Sequence, residues 1–438
     1  MNGRAVVAGS ALYAIVYALL GWDRYATYHS GADLGLFVQT LASAFDAHGF
    51  RNTLEGGNHF TYHFSPILYL LAPALVLAHA PLVLVVAQAV ACALVAPGLY
   101  AIARRRTGER TAFAIAAIGW VYPPLAGVTF TDFHENGFVP AATVWLLWAL
   151  DANRLRPAAL FAACLLATKE DQGLILAAVG LGMAAFFGVR GDRVRARFGA
   201  GLTVASLATF AAYFALVRPL AGATTPWDPL HFYALGGIGS RGPTTPLFSF
   251  GRLTYLIEVF VPLLLVPLAS PVVLGALPGL AECLLSHESL TYTMGQHYAA
   301  VWIGYVLVAF AVAAPRFGPW SRWGPLAACV LVLAFASPTH WGHFLRLRTA
   351  HDAVLDRFVA AAPPASLGTH DELYAHLGFN PQAQIGLDPR PQYALFDATY
   401  RSTAWDERVR PQLERLLAER VFAARRSEDG ITLYERRR

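Results

Sequence analysis

The sequence predicts an all-α polytopic membrane protein of about eleven transmembrane helices that ends in a small α/β domain. Three observations lead there. Apolar runs approaching the roughly 20 residues that cross a bilayer as helix recur along the chain. Mean hydropathy is +0.45, and only 14% of the 438 residues are charged, against about a quarter in soluble domains. From His340 onward charges become frequent and the apolar pattern alternates. A membrane β-barrel would show short alternating segments in place of long runs.

The run 5–22 follows Met1-Asn2-Gly3-Arg4, and no convincing cleavage site follows at Gly21 to Tyr25, so it reads as a retained signal anchor. Further spans are expected at 81–103, 111–130, 138–150, 157–168, 172–189, 199–217, 253–268, 271–286, 298–314 and 324–337. The positive-inside rule decides the run Phe64 to His79. If it spanned, Arg104-Arg105-Arg106 would share a side with the acidic loop after the first helix. If it lies in the interface or re-enters, Arg104 to Arg110, Asn153 to Arg156, Arg190 to Arg197 and Arg316 to Arg322 all face the cytoplasm with Arg4. We prefer the interfacial placement. Loops bearing Asp23, Asp33, Asp46, Glu55, Asp132, Glu135, Glu170, Asp171 and Glu288 then face outward.

A transmembrane domain of residues 1–337 follows, with long extracytoplasmic segments at 23–80 and 218–252, both rich in residues that suit ordered loops and interfacial helices. Residues 338–438 form an extracytoplasmic α/β domain. It reads as a strand near Ser366 to Thr369, a helix Asp371 to Leu377, strands at Gln384 to Leu387 and Tyr393 to Phe396, a helix Trp405 to Arg420, and a hairpin at Asp429-Gly430. The expected location is the cell membrane, multi-pass, with a cytoplasmic N-terminus.

The net charge of +5 is divided among short loops, a topological use that implies no nucleic acid. Cys92, Cys164, Cys283 and Cys329 each lie inside an apolar run, without the spacing of a metal knot or redox pair. Trp227, Trp302, Trp320 and Trp323 fall near interfaces, as in an aromatic belt.

Candidate chemistry sits in the outward turns. Asp33 has two readings: a partly desolvated base, or the cap of a helix Leu34 to Phe45. His59 and His63 stand at i, i+4 spacing, which suits metal or phosphate contacts, although interface histidines share this pattern. Asp132, His134, Glu135 and Asn136 crowd a short turn between apolar helices, which favours a site over a linker. Lys169, the sole lysine among 33 basic residues, stands in Thr168-Lys169-Glu170-Asp171-Gln172 either as a phosphate contact or in an internal ion pair. Glu282, His287, Glu288 and His297 read as caps and interface anchors.

The ordered set Asp33-Leu34-Gly35-Leu36-Phe37, His63-Phe64-Ser65-Pro66, Asp132-Phe133-His134-Glu135 and Lys169-Glu170-Asp171 resembles DUF2079, a bacterial and archaeal membrane family, over nearly the whole chain including the tail. That family in turn resembles the GT-C fold glycosyltransferases, such as aminoarabinose transferases and protein mannosyltransferases. This likeness implies a polyprenyl-phosphate sugar donor, an acid in the first extracytoplasmic loop as base, and a divalent metal nearby. Asp33 matches that acid, Asp132 or Glu135 a second acid, and Lys169 a lysine after the fifth span of aminoarabinose transferases. Two departures stand out: Asp33 lies between Ala32 and Leu34 with no acidic neighbour, and Phe64-Ser65-Pro66 stands where aminoarabinose transferases carry Glu-Lys-Pro.

The expected activity is therefore sugar transfer to an extracytoplasmic glycan, lipid or protein in the presence of membrane lipid. Asp33 and Glu135 are expected to be catalytic. Asp132, His134, Lys169, Glu170, Gln39, Arg218 and Arg252 are expected to bind substrate, with Arg241 a further phosphate candidate, and His59 and His63 to bind any metal. Two other classes compete. A transporter or lipid flippase would show internal repeats, and none is visible; a non-catalytic scaffold would bind a partner through the tail.

Overall fold

In lipid a backbone finds hydrogen-bond partners only within itself, so the apolar runs become helices. The computed structural model describes residues 2–46, 49–224, 248–402 and 405–437. Among these, five helices are long and apolar enough to cross a membrane: Gly3–Ala26, Leu82–Arg104, Asp171–Val189, Arg193–Leu220 and His297–Phe317. The run 111–130 is a pair, Glu109–Val121 and Pro123–Phe130, bent by 46°. Pro123 forces the preceding Tyr122 into extended backbone at ψ 115°, which breaks the helix there.

The remaining five runs depart from simple spans. Three form the shorter helices Val139–Asp151, Leu155–Leu166 and Trp320–Phe335. Of the runs 253–268 and 271–286, expected as continuous helices, the first is broken, whereas the second is helical throughout, a 3-10 stretch Pro271–Ala276 running straight into an α-helix. After Phe250–Phe260 the chain passes through Pro262, left-handed Leu264 and Leu265 (φ 50° and 59°) and Pro267 before the helix Leu277–Leu285. Phe64 to His79 holds a 3-10 turn and a seven-residue helix, Ala72–Ala78, closed by left-handed His79. Seven residues rise about 10 Å, a third of a hydrocarbon core of about 30 Å.

The chain divides into two compact units. The first comprises Met1–Ala18, His63–Leu68 and Val86–His340. At its centre the helix Ala300–Ala313 is buried at nearly every residue. The crossing with Val139–Asp151 is tight: a Cβ on Gly304 would sit 2.6 Å from Thr143 Cβ. Charges segregate along these helices. Val139–Asp151 starts beside Glu135 and ends at Asp151, whose carboxylate accepts from Arg105 at 2.8 Å and Arg106 at 2.9 Å. Leu155–Leu166 runs from Arg154 towards Lys169. One end of the unit thus carries arginine loops and the other the acidic turns.

The second unit comprises Leu19–Tyr62, Tyr69–Val85 and Trp341–Arg438. The expected α/β domain of 338–438 is therefore only part of it, and two N-terminal stretches complete the unit. A hairpin pairs β1 (Arg51–Asn52) with β2 (Gly57–Asn58). The main sheet contains β3 (Leu367–Thr369), β4 (Ala383–Ile385), β5 (Tyr393–Asp397), β6 (Phe422–Glu428) and β7 (Ile431–Arg436), in the order β4-β3-β5-β7-β6. β3 runs parallel to β4 and β5; β7 runs antiparallel to β5 and β6. Phe396, Trp405, Leu413 and Phe422 form its core. At the β6–β7 turn Asp429 and Gly430 both have positive φ, the conformation for which Asp-Gly is the preferred pair. Most of the 218–252 segment, with Trp227 and Arg241, lies outside the described residues.

Candidate functional site

The first unit brings His63, Glu135, Lys169, Glu170, Asp171 and Glu282 into one acidic cluster. It forms where the turn between Leu155–Leu166 and Asp171–Val189 meets the segment His63–Leu68. Ile67 N–H donates to Ala167 O at 2.9 Å, and Phe64 N–H donates to Glu170 Oε2 at 2.8 Å. These bonds bring His63 Nδ1 within 2.9 Å of Glu170 Oε1. Burial alone would raise the Glu170 carboxyl, but the His63 imidazolium and its N–H, the Lys169 ammonium and the Phe64 N–H outweigh it and hold Glu170 down at about 2. Burial likewise opposes charge on His63, and Glu170 overrides it, so the imidazole titrates above its ordinary range.

Lys169 is buried, with Nζ 3.7 Å from Asp171 Oδ2. Burial works against its ammonium, yet Asp171, Glu135, Glu170 and Glu282 together raise its pKa. The ion-pair reading of Lys169 therefore holds towards Asp171, while Glu135, Glu170 and Glu282 act on the ammonium through space. The side chain of His63 is 35% exposed and that of Lys169 9%, so the imidazole is the more accessible cation.

The Asp132–Glu135 turn is fastened by Gln88. Its side-chain amide donates to Val128 O and Thr131 O at 3.0 Å each, and its carbonyl accepts from His134 N–H at 2.9 Å. Glu135 is fully buried with Oε2 3.1 Å from His134 Nδ1, and the His134 ring stacks on His297 at 3.6 Å. Asp132 is half-buried on the same turn. The sequence reading missed Gln88 and took Glu282 and His297 for caps and anchors. An ionisable residue inside an apolar run, as Glu282 is, was the available signal.

Asp33 belongs to the second unit. It is half-buried in the first turn of the helix Ala32–Ala42, whose N-cap is Gly31. The capping alternative for Asp33 is thus corrected: the helix starts two residues earlier than expected, and Asp33 meets its N-terminus as a charge on the macrodipole.

Several expected substrate contacts are engaged within the protein. Gln39 accepts from Thr53 N–H at 2.6 Å and Tyr374 O–H at 2.8 Å, and donates to Asn380 O at 2.7 Å and Ala383 O at 3.2 Å. Arg252 is buried and donates to Leu284 O at 2.6 Å and Ser286 O at 2.8 Å, closing the end of Leu277–Leu285, where carbonyls lack helical partners. Arg218 is half-buried in a short turn that prolongs Arg193–Ala212. His59 and His63 share no α-helix, because the 3-10 turn His59–Thr61 intervenes. His59 pairs with Glu55 at 2.9 Å and His63 with Glu170. Among the described residues no group of three or more His, Cys, Asp or Glu has the geometry to hold a metal ion, so the expected His59/His63 centre does not fit.

A crystal structure of ArnT from Cupriavidus metallidurans in the apo state is similar over 98% of this chain and 98% of that one, with a TM-score of 0.57 and 14% identity, a likeness of fold. No curated protein sequence matches the chain. The model of the family described as predicted membrane protein, DUF2079, matches residues 24–341, so the expected coverage of the tail is not met. A helical membrane chain with the DUF2079 pattern over most of its length belongs to the DUF2079 family of membrane proteins.

Proposed function

We propose that this protein is a membrane glycosyltransferase of GT-C type, which moves a sugar from a polyprenyl-phosphate carrier to an extracytoplasmic hydroxyl acceptor. The observation that carries the reading is the buried cluster of acids with an imidazolium, built on a fold shared with ArnT across both chains. A structural core has no need of so many ionisable groups among apolar helices.

In this reaction the acceptor hydroxyl attacks the anomeric carbon from the face opposite the phosphate. The bond from that carbon to the phosphate oxygen breaks, its electron pair stays on the phosphate, and configuration inverts. Asp33 takes the hydroxyl proton. His63 offers the leaving phosphate a charged N–H from Nε2, since Nδ1 is engaged by Glu170. Lys169 and Glu135 fix the charge balance around that pair, with Asp132 and His134 lining the adjoining turn. No step is assigned to a metal.

The test is radiolabelled sugar transfer by purified full-length protein from a panel of synthetic decaprenyl-phosphate pentoses and hexoses to a membrane-lipid and cell-wall extract. Asp33→Asn is expected to leave the protein folded in membranes and abolish transfer. Unchanged transfer in that variant removes Asp33 from the mechanism.

A further inference from the structure

The helix that carries Asp33 is built into the second unit by contacts on both sides of the aspartate. On its C-terminal side, Ala32–Ala42 packs on Asp371–Leu377 with no room for a side chain at the crossing. A Cβ on Gly35 would lie 2.6 Å from the Tyr374 ring and 2.8 Å from Tyr374 O, and one on Gly378 would lie 2.8 Å from Val38 Cβ. One turn further, Gln39 has both ends of its amide held by Tyr374, Thr53, Asn380 and Ala383. Tyr374 is fully buried.

On the N-terminal side the tail grips the approach to the helix. Arg346 donates to Thr27 O at 3.0 Å while paired with buried Asp352. Tyr28, at φ 60°, donates its hydroxyl to Asp356 at 2.9 Å. The ring of His376 lies against Tyr25 and Tyr28, at 4.0 Å from each. Asp33 therefore sits between two fastened stretches, 25–28 and 35–39, both held by residues of the segment 346–383.

From these contacts we infer that the C-terminal α/β segment is the seat that positions Asp33, with Gly35, Gln39, Tyr374 and Gly378 as positioning residues. The inference rests on Asp33 being the base of the proposed transfer. Its physical reason is that a base must be held to within a fraction of an ångström of its proton, and a lone helix of about three turns at a membrane surface has no such precision without packed support.

The experiment uses full-length protein in lipid nanodiscs with a nitroxide on Asp33→Cys or, as control, on Ser427→Cys at the tail surface, each combined with Gln39→Leu, Gly35→Ala or Tyr374→Phe. The expected result is a more mobile nitroxide at 33 and an unaltered one at 427. In unlabelled protein, kcat for transfer from decaprenyl-phosphate sugar should fall by about 10- to 100-fold with KM within about twofold. An unchanged spectrum at 33 in all three variants overturns the inference, whatever the rate does. If the label loosens and transfer is unaffected, the seat stands and the assignment of Asp33 as base falls. Should Gly35→Ala loosen the tail as well, Tyr374→Phe, which removes one hydroxyl, decides alone.

Discussion

A single imidazole carries much of the proposed chemistry. His63 is held in its charged form by Glu170, so its contribution is complete below the ordinary histidine value of about 6.5 and fades as pH rises through the raised value. Transfer is therefore expected to fall on the alkaline side. His63→Gln should lower kcat by about 10²-fold and remove that limb, as a pH–rate profile would show. A second histidine is tied more completely. His351 places Nδ1 2.8 Å from Asp429 and Nε2 2.8 Å from Asp397, joining the helix Ala350–Ala360 to the end of β5 and the β6–β7 turn. Both nitrogens donate only when the ring is protonated, and its pKa is raised, with burial opposed by the two carboxylates. The stabilisation is present below about 6.5 and is lost as pH climbs past the folded value. Thermal unfolding of the full chain should thus show a tail transition that drops between mildly acid and mildly alkaline pH, and His351→Gln should flatten that slope.

At the scale of elements, prolines and glutamines decided what hydropathy left open. Eleven apolar runs read alike, yet Pro123, Pro262 and Pro267 bent or broke the helices they sit in, because each removes a backbone donor and restricts the residue before it. The turn bearing Asp132 to Glu135 stays in place through Gln88, whose amide satisfies one donor and two acceptors. Gln88→Leu strands those groups in a buried setting and should destabilise the protein by about 2 kcal/mol or more, measured by thermal denaturation in detergent. The tail shows the opposite case. Its helix Asp371–Leu377 and the Asp-Gly hairpin stand where the local pattern put them, since turn chemistry and capping act over a few residues.

For the whole molecule, the arginine loops and the acidic turns lie at opposite ends of the first unit's helices. Combined with the positive-inside rule, this predicts sidedness. In intact cells a membrane-impermeant maleimide should label Glu288→Cys, on an exposed acidic turn of the same unit, but reach Gly108→Cys only after permeabilisation; the reverse pattern would invert the topology. The membrane class, the helical architecture and the residues of the acidic turns were legible in the sequence, because hydropathy, loop charge and crowded ionisable groups are local properties. The roles of Gln39 and Arg252 were not, since an amide or guanidinium reads as a ligand contact until its partners, up to 344 residues away, are known. Composition and local pattern determined that this chain lives in a membrane, where its charges concentrate and how its tail folds. Only the tertiary structure decided which carboxylates surround Lys169 and which segments brace Asp33, because those partners are set by packing between segments distant along the chain.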